Sequence, residues 1–265
     1  MPMFNFVIAE SLGFADQSSG FIGINYGQVT NDLPAPTKVV NLLKTQEFTR
    51  VKIFYTNPDI LMVLADSGIM IVVALPNDLL SSVAFDQSYV NTWVEENIDK
   101  FYPSTIIDAI PIGNEVFADP NNLTKYIVPA MKNIQSSLIK YNLYFFIKIS
   151  SPTAFNALKS SYPPLSRSFK PELVEPVIKP MLDIIRQTGS YLMVNIYPFF
   201  AYTTNSGQIS LDWTLFKENP GVVDSSNGLQ YSNLFETQLN AIFATMSTLK
   251  YDDVRVVVTK TGWPS

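Results

Sequence analysis

The chain has 265 residues, of which 47% are hydrophobic and 15% charged, so it can form one large domain with a substantial core. It contains no cysteine and no histidine, which excludes Ser-His-Asp and Cys-His catalysis and the usual structural zinc sites. The net charge is −5 and there is no basic tract, which argues against nucleic acid as a partner.

Residues 1–20 are predicted to be a degenerate signal-like or disordered segment. The apolar stretch Phe4–Ala9 is interrupted by Glu10, and no Lys or Arg precedes it, so it is a poor secretory signal. This stretch could in principle supply a strand, but the signal-like interpretation is favoured. No apolar run approaches the length of a transmembrane segment. Residues 21–265 are predicted to form the folded domain.

From Phe21 onward, strand-like runs alternate with segments of helical spacing. Residues Val128, Met131, Ile134 and Leu138, for example, recur at intervals of three and four. Such alternation predicts parallel strands with helices packed outside them. The predicted strands are Phe21–Tyr26, Arg50–Tyr55, Met70–Leu75, Ile106–Ile112, Phe145–Ser150, Tyr191–Ile196 and Val254–Thr259.

An open doubly wound sheet and a TIM (β/α)8 barrel are the two alternatives for this α/β pattern. Residues 23–27 lack the glycine-rich phosphate fingerprint of the doubly wound class. Polar residues such as Asn77 and Asn114 gather directly after strands, which is typical of a barrel. The chain is one strand and two helices short of a barrel. We therefore expect a (β/α)8 barrel truncated after strand seven, as a fragment or a truncated gene product.

Two of the predicted strands end in an ionisable side chain. Ile106–Ile112 leads into Gly113, Asn114 and Glu115, and Val254–Thr259 leads into Lys260. A carboxylic acid at a strand end can protonate a leaving glycosidic oxygen if it is kept protonated. A glycosidase site needs two carboxylates, however, and here the second group is a lysine.

Five motifs occur in order and together make a specific pattern: Gly23–Gly27, Val73–Asn77, Ile112–Val116, Asn195–Tyr202 and Thr261–Ser265. On these motifs the chain, from about Gly23 to Ser265, resembles the plant β-1,3-glucanases of glycoside hydrolase family 17. The resemblance implies a (β/α)8 barrel that cleaves internal β-1,3-glucosidic bonds with retention of configuration. It also implies a secreted or cell-wall protein of plant defence, mostly monomeric, with β-1,3-glucan as partner and no metal or cofactor.

The resemblance also implies roles for individual residues. Glu115 corresponds to the acid/base and Asn114 to its neighbour that contacts the sugar, whereas Phe199 is expected to pack in the core. Asn122 begins an Asn-Leu-Thr sequon and is a candidate glycosylation site. The residues implied to bind substrate, besides Asn114, are Tyr26, Phe54, Tyr197, Phe200 and Trp263.

Lys260 stands where the resemblance implies the nucleophilic glutamate of the pattern Glu-Thr-Gly-Trp-Pro-Ser. A protonated lysine cannot attack the anomeric carbon, and its charge opposes an oxocarbenium-like transition state. An ion pair with Glu115 would keep that residue a carboxylate and remove the proton that the acid must donate. Asp252 and Asp253 lie at the opposite end of the strand and cannot substitute.

A second departure lies at the second predicted strand, where the family pattern Lys-Leu-Tyr-Asp is replaced by Lys52-Ile53-Phe54-Tyr55. The aromatic position is kept without its hydroxyl, and the acid is lost. Two functions therefore remain open. One is an endo-β-1,3-glucanase whose hydrolysis is impaired. The other is a catalytically inactive β-glucan-binding protein or a decayed gene product.

Overall fold

Parallel strands dominate the computed structural model, which describes residues 4–9, 21–29, 32–118, 121–159, 168–224 and 228–263. Within these ranges the larger sheet contains, in spatial order, β1 (Phe4–Ala9), β2 (Phe21–Tyr26), β3 (Arg50–Ile53), β4 (Met70–Val73), β5 (Ile106–Pro111) and β6 (Lys148–Ser150). The smaller sheet contains β7 (Thr153–Ala154), β8 (Leu192–Asn195) and β11 (Val256–Lys260), with β8 in the middle. A separate antiparallel pair is formed by β9 (Val222–Val223) and β10 (Gln230–Tyr231).

Helices follow most of the strands and bury their apolar sides against them. Asn57 caps the second helix because its side chain accepts a hydrogen bond from the Asp59 N–H at 3.0 Å, and Pro58 occupies the first turn. The α-helices α1 to α10 are Pro36–Thr45, Pro58–Leu64, Leu80–Phe85, Gln87–Val94, Thr124–Lys140, Pro171–Leu173, Lys179–Gln187, Pro198–Thr204, Leu211–Thr214 and Leu234–Thr248. Among the described residues no helix is long and apolar enough to cross a bilayer.

The register of the parallel ladders aligns the carboxyl ends of neighbouring strands. Asn25 of β2 lies opposite Lys52 of β3, and Lys260 of β11 lies opposite Asn195 of β8 after an irregularity in the ladder. Residues that directly follow these strands therefore emerge at one edge of the sheet. This alignment brings the polar strand ends together.

All seven predicted strands are present, and the prediction of an α/β fold with parallel strands is confirmed. The strand predicted at Phe145–Ser150 is shorter than expected and begins at Lys148. The reason is local: the Ile147 N–H donates to the Leu143 carbonyl at 3.0 Å and so closes a turn after α5 instead of joining a ladder. Phe145 consequently stays 67% exposed.

In the amino-terminal stretch Phe4–Ala9 forms a strand, which is the less favoured of the two interpretations of this run. The assignment of residues 1–20 as a signal-like segment stays a prediction. It pairs antiparallel with β2, with Phe4 opposite Tyr26 and Ala9 opposite Phe21. It also lies against β11, although the described residues form no ladder between the two. Without β1 this edge of β2 would present unpaired backbone N–H and C=O groups, and pairing with β1 satisfies them. The rest of residues 1–20 lies outside the described ranges.

Candidate active site

The loop after β5 is held in place by backbone hydrogen bonds to both neighbouring strand ends. The Gly113 N–H donates to the Leu75 carbonyl at 2.9 Å, and the Glu115 N–H donates to the Pro152 carbonyl at 3.1 Å. The Asn77 side chain completes the attachment. It accepts from the Asn114 N–H at 2.7 Å and donates to the Asn114 carbonyl at 3.1 Å. The backbone beneath Glu115 is therefore fixed before any ligand binds.

This loop also carries two residues in the left-handed region of backbone conformation. Glu115 has a φ of 52°, which is uncommon for a residue other than glycine and typical of functional sites. Gly113 has a φ of 69°, and a Cβ built on it would lie 2.5 Å from Cγ2 of Val116. Position 113 consequently requires glycine, because its backbone conformation disfavours other residues and because no side chain would fit there.

Replacing Gly113 by alanine is expected to lower the free energy of unfolding by about 3 kcal/mol or more, because strain and a steric clash add together. Gly189→Ala is the matched control, since Gly189 has a φ of 59° but nothing within 4 Å of a built Cβ. Gly189→Ala should lower the free energy of unfolding by only about 1 kcal/mol, because it adds backbone strain without a steric clash. Urea unfolding of both variants measures the difference, and equal losses would show that the Val116 contact is unimportant.

Glu115 is joined to β8 and β11 by a chain of side-chain hydrogen bonds. The Asn195 amide nitrogen donates to Oε1 of Glu115 at 2.7 Å and lies 3.3 Å from Oδ1 of Asn114. The Thr259 hydroxyl donates to Oδ1 of Asn195 at 3.1 Å, which orients the amide. The sequence analysis did not single out Asn195 as a site residue. The sequence feature that could have identified Asn195 is its position as a polar residue at the end of an apolar strand.

Lys260 lies beside Glu115, as an ion pair between two strand ends. Nζ of Lys260 is 3.6 Å from Oε1 of Glu115, and the two side chains are 22% and 30% exposed. At this distance the pair interacts through charge but not through a normal hydrogen bond. Solvent can therefore still reach both groups at the edge of the sheet.

Lys52 is a second lysine at the site, and the sequence analysis mentioned it only as part of a motif. It is 2% exposed, and its Nζ donates to the Thr259 carbonyl over 3.5 Å. Burial, followed by the charge of Lys260, lowers the pKa of Lys52 to about 7, and the charge of Glu115 partly opposes this shift. Nζ of Lys52 and Nζ of Lys260 lie 5.2 and 5.7 Å from the Phe54 ring centroid.

The pattern of Glycosyl hydrolases family 17 matches residues 22–265, nearly the whole chain. This chain belongs to glycosyl hydrolase family 17. It is 37% identical over 261 residues to glucan endo-1,3-beta-glucosidase 11 of Arabidopsis thaliana, covering 98% of this chain and 61% of that protein. It is 40% identical over 245 residues to glucan endo-1,3-beta-glucosidase 12 of the same plant, covering 92% and 46%.

Solved structures of related proteins have the same architecture. A β-1,3-glucanase and allergen of Cryptomeria japonica pollen superposes with a TM-score of 0.87 at 39% identity, covering 92% of this chain and 75% of that one. A plant beta-glucan endohydrolase superposes with a TM-score of 0.84 at 31% identity, covering 92% and 77%. The chain spans about half to three-fifths of the length of the curated relatives described above.

In this family 17 chain, aromatic side chains extend from the ion pair toward solvent. The ring centroid of Tyr197 lies 5.7 Å from Nζ of Lys260 and 5.2 Å from the ring of Phe200, which is 60% exposed. Burial, followed by the charge of Glu115, raises the pKa of Tyr197 well above its ordinary value. Phe199 is only half-buried, in contrast to its predicted place in the core. Its ring lies 5.0 Å from that of Trp263, which is 40% exposed.

Two further residues of the sequence analysis, Tyr26 and Asn122, differ in exposure. Tyr26 is 3% exposed and belongs to the main hydrophobic core, where burial and the charge of Tyr55 raise its pKa. Its role in binding glucan stays a prediction. Asn122 is exposed, with the Thr124 hydroxyl 3.4 Å from its Oδ1, and its glycosylation also stays a prediction. Within the described ranges no group of three metal-binding side chains could hold an ion.

Proposed function

We propose that this chain binds β-1,3-glucan at the carboxyl ends of its strands and that its hydrolysis of the glucan is impaired because Lys260 occupies the nucleophile position. The observation that carries the proposal is the ion pair between Lys260 and Glu115, with 3.6 Å between Nζ and Oε1. The family and its glucan endo-1,3-beta-glucosidase members support the choice of substrate.

The impairment follows from the chemistry of retaining glycosidases. Their two carboxyl groups stand about 5 Å apart, one protonating the leaving oxygen while the other attacks the anomeric carbon. In this chain Glu115 would serve as the acid/base, and the lysine opposite it would provide no carboxylate for the attack. The ammonium group would also lie close to the positive charge that develops on the sugar ring, which raises the energy of the transition state.

We further infer that the two sheets close into one (β/α)8-type barrel. β6 and β7 are separated only by Ser151 and Pro152, so the chain passes directly from one sheet to the other. At the remaining edges β1 lies against β11. Closure of this kind would leave no free sheet edges and would place Glu115, Asn195 and Lys260 around one opening.

The exposed aromatic side chains supply the surface on which glucose rings would stack. The Tyr197 ring lies near Lys260 and contacts Phe200, and Phe199 joins Phe200 to Trp263, with ring centroids 5.0 to 5.3 Å apart. Flat aromatic faces suit the apolar faces of β-linked sugars. We further propose a secreted or cell-wall location, which the family resemblance supports.

Two measurements on the same protein test this function. Titration with a soluble linear β-1,3-glucan should give saturable binding, whereas a reducing-sugar assay should detect little or no cleavage. Phe200→Ala should weaken binding about 10-fold or more, in line with the loss of a stacking residue. Phe145→Ala, which removes a 67% exposed phenylalanine at the other end of the strands, should leave binding unchanged.

The other outcomes separate the alternatives. Cleavage at the rate of an active family member would mean that Lys260 is compatible with catalysis and that the chain is an ordinary endo-hydrolase. Absence of both binding and cleavage in a folded sample would identify a decayed gene product. A soluble β-1,4-glucan serves as the specificity control, because equal binding of both polymers would contradict a β-1,3-glucan cleft.

A further inference from the structure

We propose that Lys52, Lys260 and the amide of Asn25 form a binding site for a monovalent carboxylate, supplied either by an acidic sugar or by a small free carboxylic acid. These side chains would select a ligand by its negative charge, whether or not the protein also binds neutral glucan.

Below pH 7, where Lys52 is protonated, the charges at the site do not balance without a ligand. Lys52 and Lys260 face a single carboxylate, that of Glu115, on the elements that surround them. When both lysines are protonated the group carries a net charge of about +1, and the charge on Lys52, which is 2% exposed, is costly if uncompensated. One monovalent anion would neutralise it. A phosphate dianion would overcompensate and would be repelled by Glu115.

The hydrogen-bonding capacity of the two ammonium groups is also largely unused. Oε1 of Glu115 already accepts from Asn195 at 2.7 Å, and Lys260 stands 3.6 Å from it, beyond normal hydrogen-bond distance. Among the described residues Nζ of Lys52 makes a single hydrogen bond, which is long, to the Thr259 carbonyl at 3.5 Å. An ammonium group has three donors. Several donors therefore remain for a ligand.

Asn25 provides an independent observation that points to the same place. It is 1% exposed, and neither its amide nitrogen nor its amide oxygen has a hydrogen-bond partner within the part of the chain that the structure describes. It lies opposite Lys52 in the β2–β3 ladder, and residues paired in this way project from the same face of a sheet. A buried unpaired amide is destabilising, and a carboxylate beside Lys52 could accept from its nitrogen.

The surroundings strengthen attraction between a bound carboxylate and the lysines. The Phe54 ring lies near both ammonium groups, and the Tyr197 ring lies near Lys260, so part of the site wall is apolar. Charges interact more strongly where water is excluded. Because the pKa of Lys52 is about 7, an arriving anion would also draw a proton onto this amine. The charged groups that face Lys52 are Lys260 and Glu115.

Calorimetric titration at pH 6.5 with glucuronate, acetate and glucose tests the site. Glucuronate should bind, and glucose, its neutral counterpart, should not bind at the same concentration. Repeating the titration in buffers of different ionisation enthalpy should reveal proton uptake. If acetate binds as tightly as glucuronate, the ligand is a small free carboxylic acid. If only glucuronate binds, it is an acidic sugar.

Variants make the assignment specific. Lys260→Gln should weaken anion binding about 10-fold or more, and Glu115→Gln should strengthen it about 10-fold because a competing carboxylate is removed. Lys44→Gln, on the exposed end of α1, is the control that should change nothing. The proposal is overturned if neither anion binds to the unaltered protein, or if Glu115→Gln fails to increase the affinity of a folded sample. Neither result would bear on binding of neutral β-1,3-glucan.

Discussion

Replacing Lys260 by glutamate is expected to raise hydrolysis of β-1,3-glucan by several orders of magnitude. The new carboxylate would provide the missing nucleophile and would place negative charge beside the developing oxocarbenium ion. The substitution would also remove the ion pair between Lys260 and Glu115, in which Nζ and Oε1 are 3.6 Å apart. Release of reducing ends from a soluble β-1,3-glucan measures the gain.

Controls for this variant separate the return of the nucleophile from loss of the lysine. Lys260→Gln removes the positive charge without adding a carboxylate and should stay inactive. Adding Glu115→Gln to Lys260→Glu should abolish the gain, because the leaving oxygen then has no proton donor. If Lys260→Glu folds and binds glucan yet remains inactive, Lys260 does not occupy the nucleophile position and the proposed active site is wrong.

Lys52→Met is expected to stabilise the protein at pH 6 by about 2–4 kcal/mol and to remove part of its pH dependence. In the folded state burial holds the pKa of Lys52 at about 7, against an ordinary value of 10.5. Below pH 7 the amine is charged in both states, so the folded protein carries the full cost of a buried charge. Between pH 7 and about 10.5 only the unfolded chain binds the proton, so the stability of the unaltered protein rises with pH.

Urea unfolding of the unaltered protein and of Lys52→Met, between pH 6 and pH 10, measures this effect. The difference in free energy of unfolding between them should be largest at pH 6 and should shrink as the pH rises. Lys44→Met, at an exposed position on α1, should show no such trend. A Lys52→Met protein that is less stable at pH 6 would show that the contacts of Lys52 with Thr259 and Phe54 outweigh its desolvation.

Sequence reasoning located the strands because their pattern is local. The runs at Ile106–Ile112 and Val254–Thr259 are apolar and β-branched over a length typical of strands, and strands occur there as Ile106–Pro111 and Val256–Lys260. Their ends were less predictable, since Phe145 was assigned to a strand but lies in the turn before it. Hydrogen bonds across a turn decide such boundaries, and hydrophobicity does not report them.

Residues that act through distant partners were harder to recognise. Asn195 was part of a motif, but its bond to Glu115 spans 80 positions in the chain and exists only when β5 and β8 are brought together. The strand at Phe4–Ala9 was interpreted as signal-like because its own composition is ambiguous. Its pairing with β2 depends on an open edge that only the assembled sheet presents.

The sequence by itself determined the alternation of strands and helices, the polar residues at strand ends and the lysine at position 260, because each is a property of residue type and spacing. Only the tertiary structure decided that Lys260 lies beside Glu115, that Lys52 is buried next to both, and that Asn25 has no hydrogen-bond partner among the described residues. Burial and charge proximity depend on which strands become neighbours. Burial and the proximity of charges, rather than the local sequence pattern, therefore determine the chemistry of the site.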